Sequence, residues 1–252
     1  MISADRQKLI LEYLRQKETV LSSALAKEFG VTLMTIGRDL KQLEEKGLLV
    51  RTHGGAMLPG FMEAETSYAK KKSSAIEVKR RLAAAALPFL HPGMTLFLDA
   101  GTTTYEIAEQ LVSEKINDLT VITNDLRIAL LLYPSKELRT IMLGGRILRE
   151  TGGVAGALAA EELASYVIDL AILGTSAVTD DLYLVVPTEA KMMFKRQAME
   201  KSGAAILVAD HTKFHKKKCY KVAPLQAFTH IITDVKEDAL VQAGLEEKLI
   251  IA

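Results

Sequence analysis

The chain has 252 residues, 49% hydrophobic and 25% charged, the composition of a folded globular protein, and its length allows one large core or two smaller ones, with two expected. A net charge of +1 leaves nucleic-acid binding open, because such binding depends on a local basic face and not on the total. The single cysteine, Cys219, excludes an intrachain disulfide, and a zinc cluster needs more Cys and His ligands at defined spacing, so no metal or other cofactor is expected.

The longest apolar runs, "LAAAALPFL" and "IALLLY", fall short of the roughly 20 residues that cross a bilayer. The opening "MISADRQKLI" enters an amphipathic pattern without the apolar segment of a signal peptide, which predicts a cytoplasmic protein.

From Asp5 to about Ala56 the periodicity is helical. Leu9, Ile10, Tyr13 and Leu14 recur at spacings of three and four, and a break at "QKETV" ends the first helix. A short second helix, "LSSALAKEFG", carries Leu25, Ala26 and Phe29 on one side and stops at Gly30, a residue suited to a left-handed cap. Thr32 is a fitting N-cap for a third helix, which sends Ile36, Leu40 and Leu43 inward and stops at Gly47. The run "LLVRTHGGAML" then places two apolar stretches around a Gly-Gly turn, a hairpin signal. Three helices followed by a hairpin make a winged helix-turn-helix, with "GVTL" as its turn.

The segment "PGFMEAETSYAKKKSS" lacks periodicity and reads as a linker. The expected division is a DNA-binding head over 1–58, the linker over 59–74 and a second domain over 75–252. In that second domain amphipathic helices alternate with near-continuous apolar strands: "MTLFLD", "LTVIT", "RTIML", "DLAILG" and "AAILVAD". Such alternation predicts an α/β fold with a parallel sheet covered on both faces.

With Ile36, Leu40 and Leu43 inward, the third helix presents Thr35, Arg38, and Lys41 or Gln42, residue types that pair with bases or phosphates in the major groove. Gly37 sits among them, where a glycine costs the helix roughly 1 kcal/mol relative to alanine. The wing adds Arg51 and His53 beside Gly54 and Gly55, which let the backbone approach a phosphate. The region from Met1 to Met57 holds nine Lys/Arg against seven Asp/Glu, only mildly basic, so a small bundle with solvated charges that mediates protein contacts remains an alternative.

"VTLMTIGRDLKQLEEKGLLVRTHGGA" resembles the signature of DeoR-family bacterial transcription regulators, V-S-x-x-T-I-R-R-D-L followed by L-E-x-x-G-x-L-x-R-x-H-G-G-A. Thr35, Ile36, Arg38, Asp39, Leu40, Leu43, Gly47, Leu49, Arg51, His53, Gly54, Gly55 and Ala56 fit it; Thr32 replaces a serine and Gly37 replaces the first arginine. The resemblance implies DNA contacts by Thr35, Arg38, Arg51 and His53, and the full candidate DNA-binding set adds Thr32, Gly37, Lys41, Gln42, Gly54 and Gly55. Asp39 is left between a DNA-related role and a structural one, pairing with Arg38 or Lys41 or lying on a domain interface.

In the second domain "LFLDAGTTTYEIAEQL" reads as strand, small-residue turn and helix. Gly101, Thr102, Thr103 and Thr104 place N–H groups and hydroxyls at a helix N-terminus, a cradle for phosphate, although threonines there also cap a helix without any ligand. The spacing matches neither a P-loop nor a dinucleotide fingerprint. Turns after other strands add Thr123, Asn124 and Asp125, Gly144 to Arg146, the segment near Gly174, and Asp210 to Phe214. Ligands of open α/β sheets collect outside the carboxyl ends of the strands, so these turns point to one small anionic ligand. Lys213 supplies positive charge, and Asp99 and Asp210 either accept sugar hydroxyls or cap their loops.

"DAGTTT", "TND", "LGG" and "ADHTKF" are similar to elements of the DeoR-family effector domain. That resemblance implies a fold related to ribose-5-phosphate isomerase that senses phosphorylated sugars or their metabolites, with candidate ligand residues Lys79, Asp99, Gly101, Thr102, Thr103, Thr104, Thr123, Asn124, Gly144, Gly145, Asp210 and Lys213. For Lys79 the residue pattern favours a solvated helix lysine over a ligand contact. "ETGGVAGALAAEEL" and "TSAVTDDLYLVVPTEAK" depart from the family pattern.

The expectation is a DNA-binding regulator, most often a repressor in this family, of sugar or carbohydrate genes. Its partners are operator DNA, a phosphorylated effector and further copies of itself as dimer or tetramer. The rival readings are a sugar-phosphate isomerase using Asp99, Asp210, Glu189 and Lys213, and a regulator whose DNA binding Gly37 has weakened.

Overall fold

The computed structural model describes residues 2–17, 19–52, 54–57 and 68–252. The chain divides into two compact units, Met1–Ala64 and Glu65–Ala252.

The first unit holds α1 (Ser3–Lys17), β1 (Thr19–Leu21), α2 (Ser22–Phe29), α3 (Leu33–Glu45), β2 (Val50–Thr52) and β3 (Gly55–Met57). Ile10 and Leu14 from α1, Leu25 from α2, and Ile36, Leu40 and Leu43 from α3 close on one core with Leu49 and Ala56. Gly30 takes the left-handed conformation that ends α2, at φ 62°. Thr32 caps α3 by accepting from the Thr35 N–H at 3.2 Å. The hairpin is present, and the break expected at "QKETV" contains β1, which pairs antiparallel with β3 to give the order β1-β3-β2. Three residues are too short to give a strand signal in sequence.

The second unit holds α4 (Tyr68–Ser73), α5 (Ile76–Ala86), β4 (Thr95–Leu98), α6 (Thr102–Ser113), β5 (Leu119–Thr123), α7 (Leu126–Leu132), β6 (Leu138–Met142), α8 (Ala157–Leu163), β7 (Ile168–Gly174), β8 (Ala177–Val178), β9 (Tyr183–Val186), α9 (Glu189–Glu200), β10 (Ser202–Val208), β11 (Tyr220–Pro224), β12 (His230–Thr233), α10 (Asp238–Gln242) and β13 (Leu249–Ile251). Among the described residues, seven strands form a wholly parallel sheet in the order β13-β12-β10-β7-β4-β5-β6. Alternate residues of β4 feed opposite cores: Leu96 and Leu98 pack with Leu82, Ile107 and Leu111 of α5 and α6, whereas Phe97 packs with Leu163 of α8 and Phe194 of α9. The sheet is therefore buried on both faces, as its apolar strands require.

Strand order reverses between β4 and β7. From β4 the chain winds outward to β5 and β6, and from β7 it winds the other way to β10, β12 and β13. A crevice opens at such a switch point, at the carboxyl ends of the strands. Strands β8, β9 and β11 form a small antiparallel sheet of order β11-β9-β8, and β8 and β9 lie in the stretch that departs from the family pattern.

The expected linker needs correction. Its residues 59–67 lie outside the described residues, but Tyr68–Ser73 is helical. "YAKKKS" has no apolar stripe, and tertiary contacts hold it. The Arg127 guanidinium lies 3.8 Å from the centroid of the Tyr68 ring, and the Tyr68 N–H donates to Glu150 O at 2.9 Å. The Lys79 ammonium donates to the carbonyls of Lys71 and Ser74 at the helix end.

Candidate functional site

The head presents α3 in the position of the second helix of a helix-turn-helix, the one that enters the major groove. Arg38 and Lys41 are exposed, Thr35 is half-buried, and Gly37 has open space where a Cβ would stand. Thr32 serves as the cap. Gln42 is exposed but tied to α1, accepting from the Gln7 amide at 2.6 Å. Asp39 pairs with neither Arg38 nor Lys41: it is buried, receives the Arg6 Nε–H at 2.5 Å and accepts from the Ser3 hydroxyl at 2.5 Å. Burial pulls its pKa upward, but hydrogen bonds from Arg6, Ser3 and Gln7 outweigh that and hold the carboxyl below its ordinary value. This settles Asp39 as a brace between α1 and α3.

In the wing, Arg51 is exposed while its N–H donates to Glu44 at 2.9 Å. His53 lies outside the described residues. Gly54 is exposed, but Gly55 is buried, and a Cβ there would overlap Val20 O of β1. Its glycine serves the close approach of β1 and not that of a phosphate.

The second candidate site is a cavity at the sheet's switch point. Tyr68 and Lys71 of α4 line it together with Asp99, Ala100 and Gly101 after β4, Thr102 and Thr103 of α6, Asn124 after β5, Leu148, Thr151 and Gly153 to Ala155, Gly174 to Ser176 after β7, Lys191, Phe194 and Lys195 of α9, and Lys213 after β10. Four lysines and one carboxylate, Asp99, thus line it. The N-cap of α6 is Gly101, with no side-chain cap bond, so the threonines do not consume the helix's first N–H groups. Those groups carry the positive end of the helix dipole to the cavity.

Asp99 is held by two groups. The Lys195 ammonium pairs with Oδ2 and also donates to Gly174 O at 2.9 Å, and the Gly174 N–H donates to the same Oδ2 at 3.2 Å. This buried pair ties β4, β7 and α9 together at the crevice. The Asn124 side chain accepts from Ala100 N–H at 2.7 Å and donates to Val154 O at 2.8 Å, fixing the turn that precedes Gly101. Behind it, Asp125 caps α7 through the Arg127 N–H at 2.8 Å, and burial pushes its pKa up to about 6.

Of the twelve ligand residues expected from sequence, Asp99, Gly101, Thr102, Thr103, Asn124 and Lys213 meet in this cavity. The other six fall outside its lining. Thr104 donates back to Gly101 O at 3.0 Å, and Thr123 donates to Leu98 O at 2.8 Å. The Gly144 N–H is bound by Glu162 at 2.6 Å, and Gly145, at φ 135°, belongs to the same turn. Asp210 caps the turn through Thr212 N–H at 2.9 Å and stands 3.8 Å from the Lys213 ammonium. Lys79 is only 1% exposed, so it is not a solvated lysine; burial pushes its pKa down.

Thr175 and Ser176 belong to the turn near Gly174 expected from sequence, whereas sequence reasoning missed Tyr68, Lys71, Lys191 and Lys195. Lys191 and Lys195 are one helical turn apart in "EAKMMFK", a spacing that marks one face, yet lysines on an amphipathic helix usually face water. Tyr68 and Lys71 sat in the segment read as a linker. Glu189, required by the isomerase reading, is exposed and does not line the cavity.

The DeoR-like helix-turn-helix domain model matches residues 6–60, and the DeoR C terminal sensor domain model matches residues 74–235. This chain belongs to the DeoR family. As a DeoR-family protein it is a DNA-binding transcriptional regulator. The uncharacterized HTH-type transcriptional regulator YgbI of Escherichia coli is 36% identical over 234 residues, covering 93% of this chain and 91% of that protein. The glycerol-3-phosphate regulon repressor of Escherichia coli is 31% identical over 234 residues, covering 93% and 92%. The transcriptional repressor GlcR of Bacillus subtilis is 30% identical over 234 residues, covering 93% and 89%. No helix among the described residues is long and apolar enough to cross a membrane.

Proposed function

We propose that this DeoR-family regulator represses genes of carbohydrate metabolism and that a small phosphorylated sugar or related metabolite, bound at the switch-point cavity, controls it. The observation that carries the reading is the meeting of the uncapped α6 N-terminus with Lys191, Lys195 and Lys213 in one cavity, whose lining holds the single carboxylate Asp99 while Asp210 stands behind Lys213. Backbone N–H groups and lysines favour a phosphate, and Thr102, Thr103 and Asn124 offer partners for hydroxyls. The names of the glycerol-3-phosphate regulon and GlcR repressors support the metabolic class. Control requires the ligand to bind the DNA-competent and incompetent states with different affinity. A homo-oligomer would match two-fold operators with its paired heads.

The isomerase alternative loses support because Asp99 is engaged by Lys195 and Gly174, while Glu189 and Asp210 stand outside the cavity lining. The test is thermal denaturation against glycerol 3-phosphate, glucose 6-phosphate, fructose 6-phosphate and inorganic phosphate. A ligand at 100 times its Kd adds about 2.7 kcal/mol of stability. Stabilisation by at least one phosphorylated compound and not by its unphosphorylated parent is expected; equal response to both would contradict the reading.

A second reading, weakened DNA binding, rests on Gly37. Its Cβ position is open, so Gly37→Arg fits sterically. That substitution is expected to raise affinity for unselected DNA and steepen its salt dependence, and unchanged affinity would remove α3 from the phosphate-contacting surface.

A further inference from the structure

The face of α3 turned away from the head's core carries Met34, Arg38, Lys41 and Glu45, spaced by four, three and four residues into one ridge. At its leading end two large apolar side chains stand in water: Leu33 is 59% exposed and Met34 is 69% exposed. Neither belongs to the head's hydrophobic cluster. Thr32 fixes the start of the helix immediately before them, so both lie in its first turn, the part of a groove-entering helix that meets base edges.

Gly37 stands three and four residues further on. Nothing lies within 4 Å of where its Cβ would be, so the ridge has a notch beside Leu33 and Met34. The Arg38 guanidinium folds back along the ridge, with Nη2 3.9 Å from Met34 Sδ. A helix without a side chain at the notch can seat deeper, which brings the two apolar tips to the groove floor. There the apolar feature is the C5 methyl of thymine, and a Leu or Met side chain has little hydrogen-bonding capacity with which to read anything else.

We propose that Leu33 and Met34 are specificity determinants that read thymine methyl groups of the operator, with Gly37 providing the room for that approach. The surface is continuous with the DNA-binding surface of the family's helix-turn-helix, and Arg38 and Lys41 on the same ridge supply the charge that DNA requires. A second copy of the chain, or its own sensor unit, is the competing occupant of the apolar pair.

The test uses the full chain and a duplex enriched from a random pool by repeated binding selection. Each thymine is then replaced by uracil, which removes the methyl and leaves the hydrogen-bonding edge. At one or two positions per half-site, uracil is expected to weaken binding about 4-fold, the effect of one methyl group withdrawn from contact. Met34→Ser and Leu33→Ser, both at exposed positions, are expected to melt as the parent does and to bind thymine and uracil duplexes alike. Gly37→Arg, which fills the notch, is expected to bind unselected DNA more tightly while losing the discrimination. If uracil is neutral at every position, or if Met34→Ser weakens thymine and uracil duplexes by the same factor, the proposal fails and a protein surface covers the pair. Failure to enrich any duplex would overturn the placement of α3 on DNA as well.

Discussion

Asp39→Ala is expected to unfold the DNA-binding head and not merely to remove a DNA contact. The carboxylate lies between α1 and α3, 2.5 Å from Arg6 Nε and 2.5 Å from the Ser3 hydroxyl, with the Gln7 amide at 3.5 Å. Both charged side chains are nearly excluded from water, at 3% and 8% exposure. Alanine leaves the Arg6 guanidinium buried without Asp39 opposite it, a loss of about 3–5 kcal/mol. A unit of this size has a total stability of roughly 3–10 kcal/mol, so the head would be partly or wholly unfolded near 37 °C. The double variant Arg6→Met with Asp39→Leu removes both charges and is expected to recover most of the loss. Because the Asp39 pKa is lowered on folding, the stabilisation it brings is fully present above the unfolded carboxylate value and is lost as pH falls through the folded one. Calorimetry of the full chain, following the head transition, is the assay. A fall of more than about 12 °C for Asp39→Ala is expected, at 4–8 °C per kcal/mol. A loss below about 1 kcal/mol, or lost DNA affinity at unchanged stability, would refute the brace and return Asp39 to the DNA surface.

Other expectations concern the sensor unit. Lys191→Met removes one charge from the cavity lining and is expected to weaken a phosphorylated ligand about 10-fold or more, read by titration calorimetry. Gly153→Ala places a Cβ 2.7 Å from Ala100 Cβ, and is expected to cost the sensor unit about 1–3 kcal/mol in denaturant unfolding because the turn beside Asn124 must open. Asp125, with its folded pKa at about 6 and above the unfolded value, binds its proton more tightly in the native state. Stability is therefore expected to fall as pH rises from about 4 to about 6, by roughly 2 kcal/mol. Asp125→Asn should flatten that slope while still capping α7.

The parts of the fold legible in sequence were those with sustained periodicity. The stripes of α1 to α3 and the apolar runs of β4, β5, β7 and β10 stood out because each buries one face or both. The elements that escaped lack such a signature. Strand β1 has three residues, and α4 is polar along its length and owes its place to Arg127 and Lys79. The site divided similarly. Turns directly after β4 and β5 announced Asp99, Gly101 and Asn124, because strand ends converge at the switch point. Lys195 was hidden, since its partner Asp99 lies 96 residues away and no local pattern distinguishes a buried lysine from a solvated one. Conversely Thr104, Thr123 and Gly144 matched the expected motifs but are occupied elsewhere: Thr104 with Gly101 of its own turn, Thr123 with Leu98 of β4 and Gly144 with Glu162 of α8.

The most direct measurement is the affinity of the full chain for its selected duplex, by fluorescence anisotropy, with and without a phosphorylated sugar that raises the melting temperature. A change of about 5-fold or more, abolished by Lys191→Met while DNA affinity without ligand is preserved, is the predicted result. A saturating ligand that leaves DNA affinity unchanged would contradict the account.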